Sequence, residues 1–222
     1  MPSSLYLAAA FIALTHTLMG PDHYLPFVMM GRAGQWSRSK TYLVTLLCGT
    51  AHVISSIAIG TVGIALGIGV TRLEGIEATR GELAAWALIA FGFLYGAWGL
   101  RRALKHKTHT HFHGSHEHSH APDSKAAKRQ MTPWALFVIF GLGPCEPLIP
   151  LLMYPASQRS VWGVAAVTAI FSAVTLIVML GAVALGMRGL SFVKGNWAER
   201  FAHCAAGFAI ACSGLAIRFL GI

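Results

Sequence analysis

An all-α polytopic membrane protein is the fold class the sequence predicts. Its six transmembrane helices are expected to form two inverted three-helix repeats with broken first helices. Three observations predict it. Apolar residues make up 55% of the 222 residues, charged residues only 11%, and mean hydropathy is +0.60. A soluble domain carries about 25% charged residues, and a disordered chain needs low hydrophobicity with high net charge. Apolar runs long enough to span a bilayer, which takes about 20 residues, recur along the chain. Two of these runs are interrupted by similar elements, Gly20-Pro21-Asp22-His23-Tyr24-Leu25-Pro26 and Gly143-Pro144-Cys145-Glu146-Pro147-Leu148-Ile149-Pro150.

The run 4–31 carries Asp22 as its only formal charge and is too long for one straight crossing. It lacks the basic start and purely apolar centre of a cleavable signal peptide. The run 41–70 holds no Asp, Glu, Lys or Arg, and 82–100 is the expected third span after a 71–81 loop. The run 131–158 has Glu146 as its only charge, and 161–187 and 198–220 complete the six. Residues 1–100 thus form the first repeat, 101–130 a loop, and 131–222 the second repeat. Three spans per repeat is an odd number, so the copies should run inverted, and interrupted segments at matched positions point to a transporter's site. Gly60, Gly63, Gly67 and Gly69 are expected to permit close helix packing.

Net charge is +9, and its distribution sets orientation. Six spans leave Arg72, Arg80, Arg159 and Arg218 on one face and the other thirteen Lys and Arg on the opposite face. Basic residues mark the cytoplasmic side. Both termini are therefore expected outside and the 101–130 loop in the cytoplasm, in a bacterial inner membrane. The surplus reads as topology and not as nucleic-acid binding, because no aromatic interleaving accompanies it.

Polar groups inside apolar runs carry the functional reading. Of the eight acids only Asp22 and Glu146 lie deep in such runs, at matched places. An ionised side chain at the bilayer centre costs about 2.5–3.5 kcal/mol, so an ion or substrate path is the default reading. His16, Asp22 and His23 form an H-x5-D-H string, and His52 sits mid-span. In an unbroken helix His16 and His23 would stand about 10 Å apart along the axis. Pro21 cannot continue the hydrogen-bond ladder, so a turn at Gly20-Pro21 is expected to gather the imidazoles and Asp22. Imidazole with carboxylate suits nickel, cobalt, zinc and similar divalent ions. Met19, Met29, Met30 and Met153 could add soft ligands, though gap-filling is commoner for methionine. Cys145 adjoins Glu146 and is a further candidate ligand. Cys48, Cys145, Cys204 and Cys212 show no zinc-ribbon spacing.

The loop carries a second signal. His106, His109, His111, His113, His116, His118 and His120 fall within fifteen residues. His-rich tracts read as metal binding, here as a weak multi-site collector. No permanently bound cofactor and no covalent chemistry are expected. The expected partners are the lipid bilayer, the metal ion and a cytoplasmic metal donor or acceptor.

The H-x5-D-H string resembles the H-x4-D-H signature of nickel/cobalt transporters, with one extra residue. Gly49-Thr50-Ala51-His52-Val53 is similar to that family's second signature. The His-rich cytoplasmic loop resembles that of its efflux members, and length and plan resemble its compact, urease-accessory branch. The resemblance implies that His16, Asp22, His23 and His52 are transport-site ligands for nickel or cobalt. Gly143-Pro144-Cys145 also resembles the Gly-Pro-Cys element of membrane thiol–disulfide electron carriers, which share the inverted three-plus-three plan. Those carriers use a cysteine in each half, whereas here Asp22-His23 matches Cys145, with Cys48 the other candidate. Small-anion export of the sulfite type is a third alternative, opposed by two acids in the spans. Metal transport is the leading expectation, its direction open.

Overall fold

The computed structural model describes residues 2–105, 132–192 and 195–220, all of them in helices, turns or short connections. The His-rich tract, 106–120, lies outside the described residues. The helices are α1 Ser3–Met19, α2 Leu25–Ala33, α3 Arg38–Ala65, α4 Val70–Lys105, α5 Thr132–Leu142, α6 Leu148–Ser157, α7 Val161–Ser191 and α8 Asn196–Leu220. A 3-10 turn, Pro21–His23, separates α1 from α2 and bends the pair by 82°.

Four helices, α3, α4, α7 and α8, are long and apolar enough to cross a membrane, and the bent α1–α2 pair makes a fifth if it counts as one span. At about 1.5 Å per residue, α5 and α6 each cover roughly half of a 30 Å hydrocarbon core. The run 131–158 is therefore two short helices joined by an elbow at Gly143–Pro147 and not one continuous span. Outward-facing Leu7, Phe11, Trp162, Leu185 and Phe208 are well exposed, the surface of an integral membrane protein.

The expected 71–81 loop is helical and forms the first turns of α4, which continues past Leu100 to Lys105. No proline interrupts that stretch, and Glu77 and Arg80 pair one turn apart. Charges that read as a loop in the sequence are inside the fold. The preceding span ends at Ala65, where Gly67, at φ 67°, supplies the left-handed residue that closes the helix.

The two halves share local geometry. The α2 end turns through Gln35 at φ 49° and the α6 end through Arg159 at φ 55°. In each, an N–H reaches five residues back, Trp36 to Gly31 at 2.9 Å and Ser160 to Pro155 at 3.0 Å. A serine then caps the following helix, Ser37 accepting from the Lys40 N–H and Ser160 from the Gly163 N–H. Packing is reciprocal as well. Helix α1 lies on α7 while α5 lies on α3, and α2 meets α7 and α8 while α6 meets α3 and α4.

The most extensive pair is α4 with α8. A methyl on Gly92 would stand 2.7 Å from the Gly207 carbonyl, and one on Gly207 2.6 Å from the Gly92 carbonyl. Only glycine lets these backbones approach so closely. Of the four glycines expected to do this, Gly60 and Gly63 do pack against side chains of Leu152 and Leu73, whereas Gly67 and Gly69 have nothing within 4 Å. The main close-contact seam is on α4 and α8.

Candidate functional site

The elbow at Gly20-Pro21 reverses the chain where α1 ends. His16 stands in the last turn of α1, and its carbonyl accepts the Gly20 N–H at 3.1 Å. The 3-10 turn then carries Asp22 and His23 back beneath it. His16 and His23 rings come to 4.9 Å between centroids, and His23 lies 5.1 Å from His52, which α3 presents from mid-helix. One nitrogen from each of the three imidazoles falls within 4.8 Å of the others.

Hydrogen bonding decides what these rings offer. His23 Nδ1 lies 3.1 Å from Asp22 Oδ1 and 3.2 Å from the Gly20 carbonyl. Both neighbours are acceptors, so Nδ1 carries the hydrogen, and in the neutral ring Nε2 keeps the lone pair. Asp22 orients His23 in this way, the arrangement that carboxylates adopt behind metal-ligating histidines. His16 Nε2, His23 Nε2 and both nitrogens of His52 are buried without a hydrogen bond of ordinary geometry, the Phe140 carbonyl making only a looser approach to His52. Buried polar atoms are normally satisfied, so four such nitrogens in one place need a partner from outside the chain. Tetrahedral ligation with bonds near 2.0–2.1 Å needs nitrogens about 3.4 Å apart, closer than the 4.8 Å within which these three fall.

The imidazoles line a cavity of about 320 Å³ together with Gly20, Asp22, Gly143 and Glu146. The glycine of each elbow makes room for a ring. A methyl on Gly20 would stand 2.6 Å from His23 Nδ1, and one on Gly143 3.1 Å from His52 Nδ1. The cavity therefore gathers His16, Asp22, His23, His52 and Glu146. Glu146 is exposed at its edge, not deeply buried.

Cys145 lies elsewhere. Its side chain is buried in an apolar cluster with Ala9, Ala13, Leu148 and Phe171, while Cys48 belongs to a second cluster around Phe27 and Met179. Met30 is also core. His203 sits at the α4–α8 seam, with the Tyr95 hydroxyl 2.6 Å from its Nδ1, and does not line the cavity.

The acid buried most completely is one the sequence reading assigned to a loop. Glu77 has no exposed surface and pairs with Arg80. Its Oε2 accepts from Ser56 Oγ at 2.9 Å and from the Cys145 N–H at 3.0 Å. Arg80 donates to Ser55 Oγ at 2.7 Å and to the carbonyls of Gly141 at 3.1 Å and Gly143 at 3.3 Å. This network ties the second elbow to α3 just beyond His52. The i,i+3 spacing of Glu77 and Arg80 was its one sequence signal. Thr175 does not line the cavity but has a related position. Aligning the caps Ser37 and Ser160 sets it opposite His52 in the second half, and its buried hydroxyl has no partner.

Compared with known proteins, the family described as cytochrome c biogenesis protein transmembrane region matches residues 25–216. The match takes in Cys48, His52, Cys145 and Glu146, while His16, Asp22 and His23 precede it. It lies with the broader membrane superfamily to which thiol–disulfide carriers belong and not with a nickel/cobalt transporter family. No curated protein and no solved structure matches the chain.

Proposed function

The chain belongs to the family of the cytochrome c biogenesis protein transmembrane region, and we propose that within this superfamily it carries a divalent transition metal ion, nickel or cobalt, across the bilayer. The observation that carries the reading is the group of three buried imidazoles, each offering a nitrogen within 4.8 Å of the others and without a hydrogen bond of ordinary geometry. Neutral imidazole is a good ligand for nickel, cobalt and zinc, and Asp22 supplies negative charge to offset the cation while holding His23 in its ligating tautomer.

In this reading the α5–α6 pair is the sixth span and the halves are inverted repeats, supported by the matched caps and reciprocal packing. Transport proceeds by alternating access around the chamber between the two elbows. Both termini face outward, the segment that follows α4 is cytoplasmic, and its histidines collect metal. The protein makes and breaks no covalent bond in this cycle.

The family assignment itself backs a second reading better than the first, that of a membrane thiol–disulfide electron carrier using Cys145. There, two thiols would give up two electrons and two protons as a disulfide forms. The separate apolar clusters that hold Cys145 and Cys48 weigh against that pair.

Metal flux into proteoliposomes, measured for nickel, cobalt and zinc, tests the choice. His23→Ala and His52→Ala should abolish flux in folded protein, while Cys145→Ser and Cys48→Ser keep it. Wild-type flux in both histidine variants, or a reversible Cys48–Cys145 disulfide in functioning protein, would transfer the conclusion to the electron carrier.

A further inference from the structure

The imidazole chamber adjoins an acidic cleft. Glu146 lines both the chamber and this open cleft, whose other walls are Glu74, Gly75 and Ala78 of α4 and Pro147 of the second elbow. Glu74 and Ala78 are four residues apart and so share one face of α4. The space beside Gly75 is open, since a methyl there would meet nothing within 4 Å. Among the described residues neither Glu74 nor Glu146 pairs with Lys, Arg or His, whereas Glu77, one turn further along α4, spends its charge on Arg80.

Two free carboxylates alone would be an unremarkable acidic pair. The chamber behind them makes the difference. His23 and His52 are 3% and 2% exposed, and their unpartnered nitrogens line the same cavity that Glu146 borders. The cleft and the chamber share Glu146 and Pro147, so the charge of the one adjoins the ligating atoms of the other.

We propose that Glu74 and Glu146 form a staging site for a hydrated divalent cation, the mouth through which the ion reaches His16, His23 and His52. The inference rests on the metal-transport reading. A hydrated cation is attracted through its water shell by hard carboxylate oxygens, and two carboxylates of one sign raise the local cation concentration at the cleft. Moving inward, the ion exchanges water for imidazole nitrogens, the ligands a borderline metal prefers. The same mouth repels anions, which argues against sulfite-type export by this route.

Stopped-flow mixing of Co²⁺ with the full chain in detergent tests this. The visible absorption of imidazole-bound cobalt is followed, and the chamber signal is the part missing in His52→Ala. Replacing both acids (Glu74→Gln with Glu146→Gln) should lower the association rate about tenfold at low ionic strength and flatten its salt dependence. The chamber spectrum should stay the same, and Glu82→Gln, outside the cleft, should behave as wild type. An association rate within about twofold of wild type would overturn the staging site while leaving the metal reading standing. A changed chamber spectrum would make Glu146 a chamber ligand and would overturn it too. Absence of any His52-dependent cobalt signal in wild type would overturn the metal reading, and the mouth with it.

Discussion

Glu77→Ala removes the centre of the network that ties the second elbow to α3. In the structure the carboxylate is fully buried, accepts from Ser56 Oγ and the Cys145 N–H, and pairs with Arg80, whose side chain is 14% exposed. Without it Arg80 is a mostly buried cation with no carboxylate. Breaking a buried pair in this way costs about 3–5 kcal/mol. The Cys145 N–H still has Ser56 Oγ at 3.1 Å, so little need be added for an orphaned donor. For a chain of this size each kcal/mol lowers Tm by about 2–4 °C, which places the expected fall at about 6–20 °C. Thermal unfolding followed by tryptophan fluorescence in detergent measures it. The double variant Glu77→Met with Arg80→Met removes both charges, and a buried pair replaced by apolar groups is often neutral. It should recover most of the loss. A Tm within about 2 °C of wild type for Glu77→Ala, or a double variant as unstable as the single, would refute the reasoning.

Gly20→Ala places a methyl 2.6 Å from His23 Nδ1 and 2.8 Å from Asp22 Oδ1. Disturbing the group that orients a ligand typically costs about 10–100-fold in metal affinity, so calorimetric titration should show a loss of that order, with Gly181→Ala, whose methyl meets nothing within 4 Å, unchanged. Gly207→Ala should push α4 from α8 and cost about 1–3 kcal/mol, as overpacking does, read as a lower Tm beside an unaffected Gly189→Ala. Deleting His106 to His120 should raise the metal concentration for half-maximal flux and spare the maximal rate, since tethered imidazoles raise the local metal concentration. Only neutral imidazole ligates metal and its ordinary pKa is about 6.5, so this effect should be clear at pH ~7.5 and small at pH ~5.5. Complete loss of flux in folded protein would instead make the loop an obligatory ligand source.

Composition and local pattern are properties of the chain alone, and they determined the class of protein. Apolar runs identify membrane helices because the bilayer excludes charge whatever the fold. Gly20-Pro21 and Gly143-Pro144 mark the elbows because proline lacks an N–H wherever it stands. Histidines within apolar runs single out His16, His23 and His52 for the same reason, since polar atoms there need partners. What the sequence could not express was distance in space. Ser56 and Cys145 lie 21 and 68 positions from Glu77, so Glu77 and Arg80 look like loop charges until the fold brings their partners to them. The α4–α8 seam was equally hidden, because a glycine in a helix reads alike whether lipid or another backbone faces it. Asp22 and Glu146, at matching places in two similar sequence elements, part company in three dimensions. One locks His23 from behind while the other stands at the cavity's edge. Asp22 finds His23 next to it in the chain, but the use made of that pair is decided by tertiary structure, because the fold sets His23 against His16 and His52 while it leaves Glu146 at the cavity's edge.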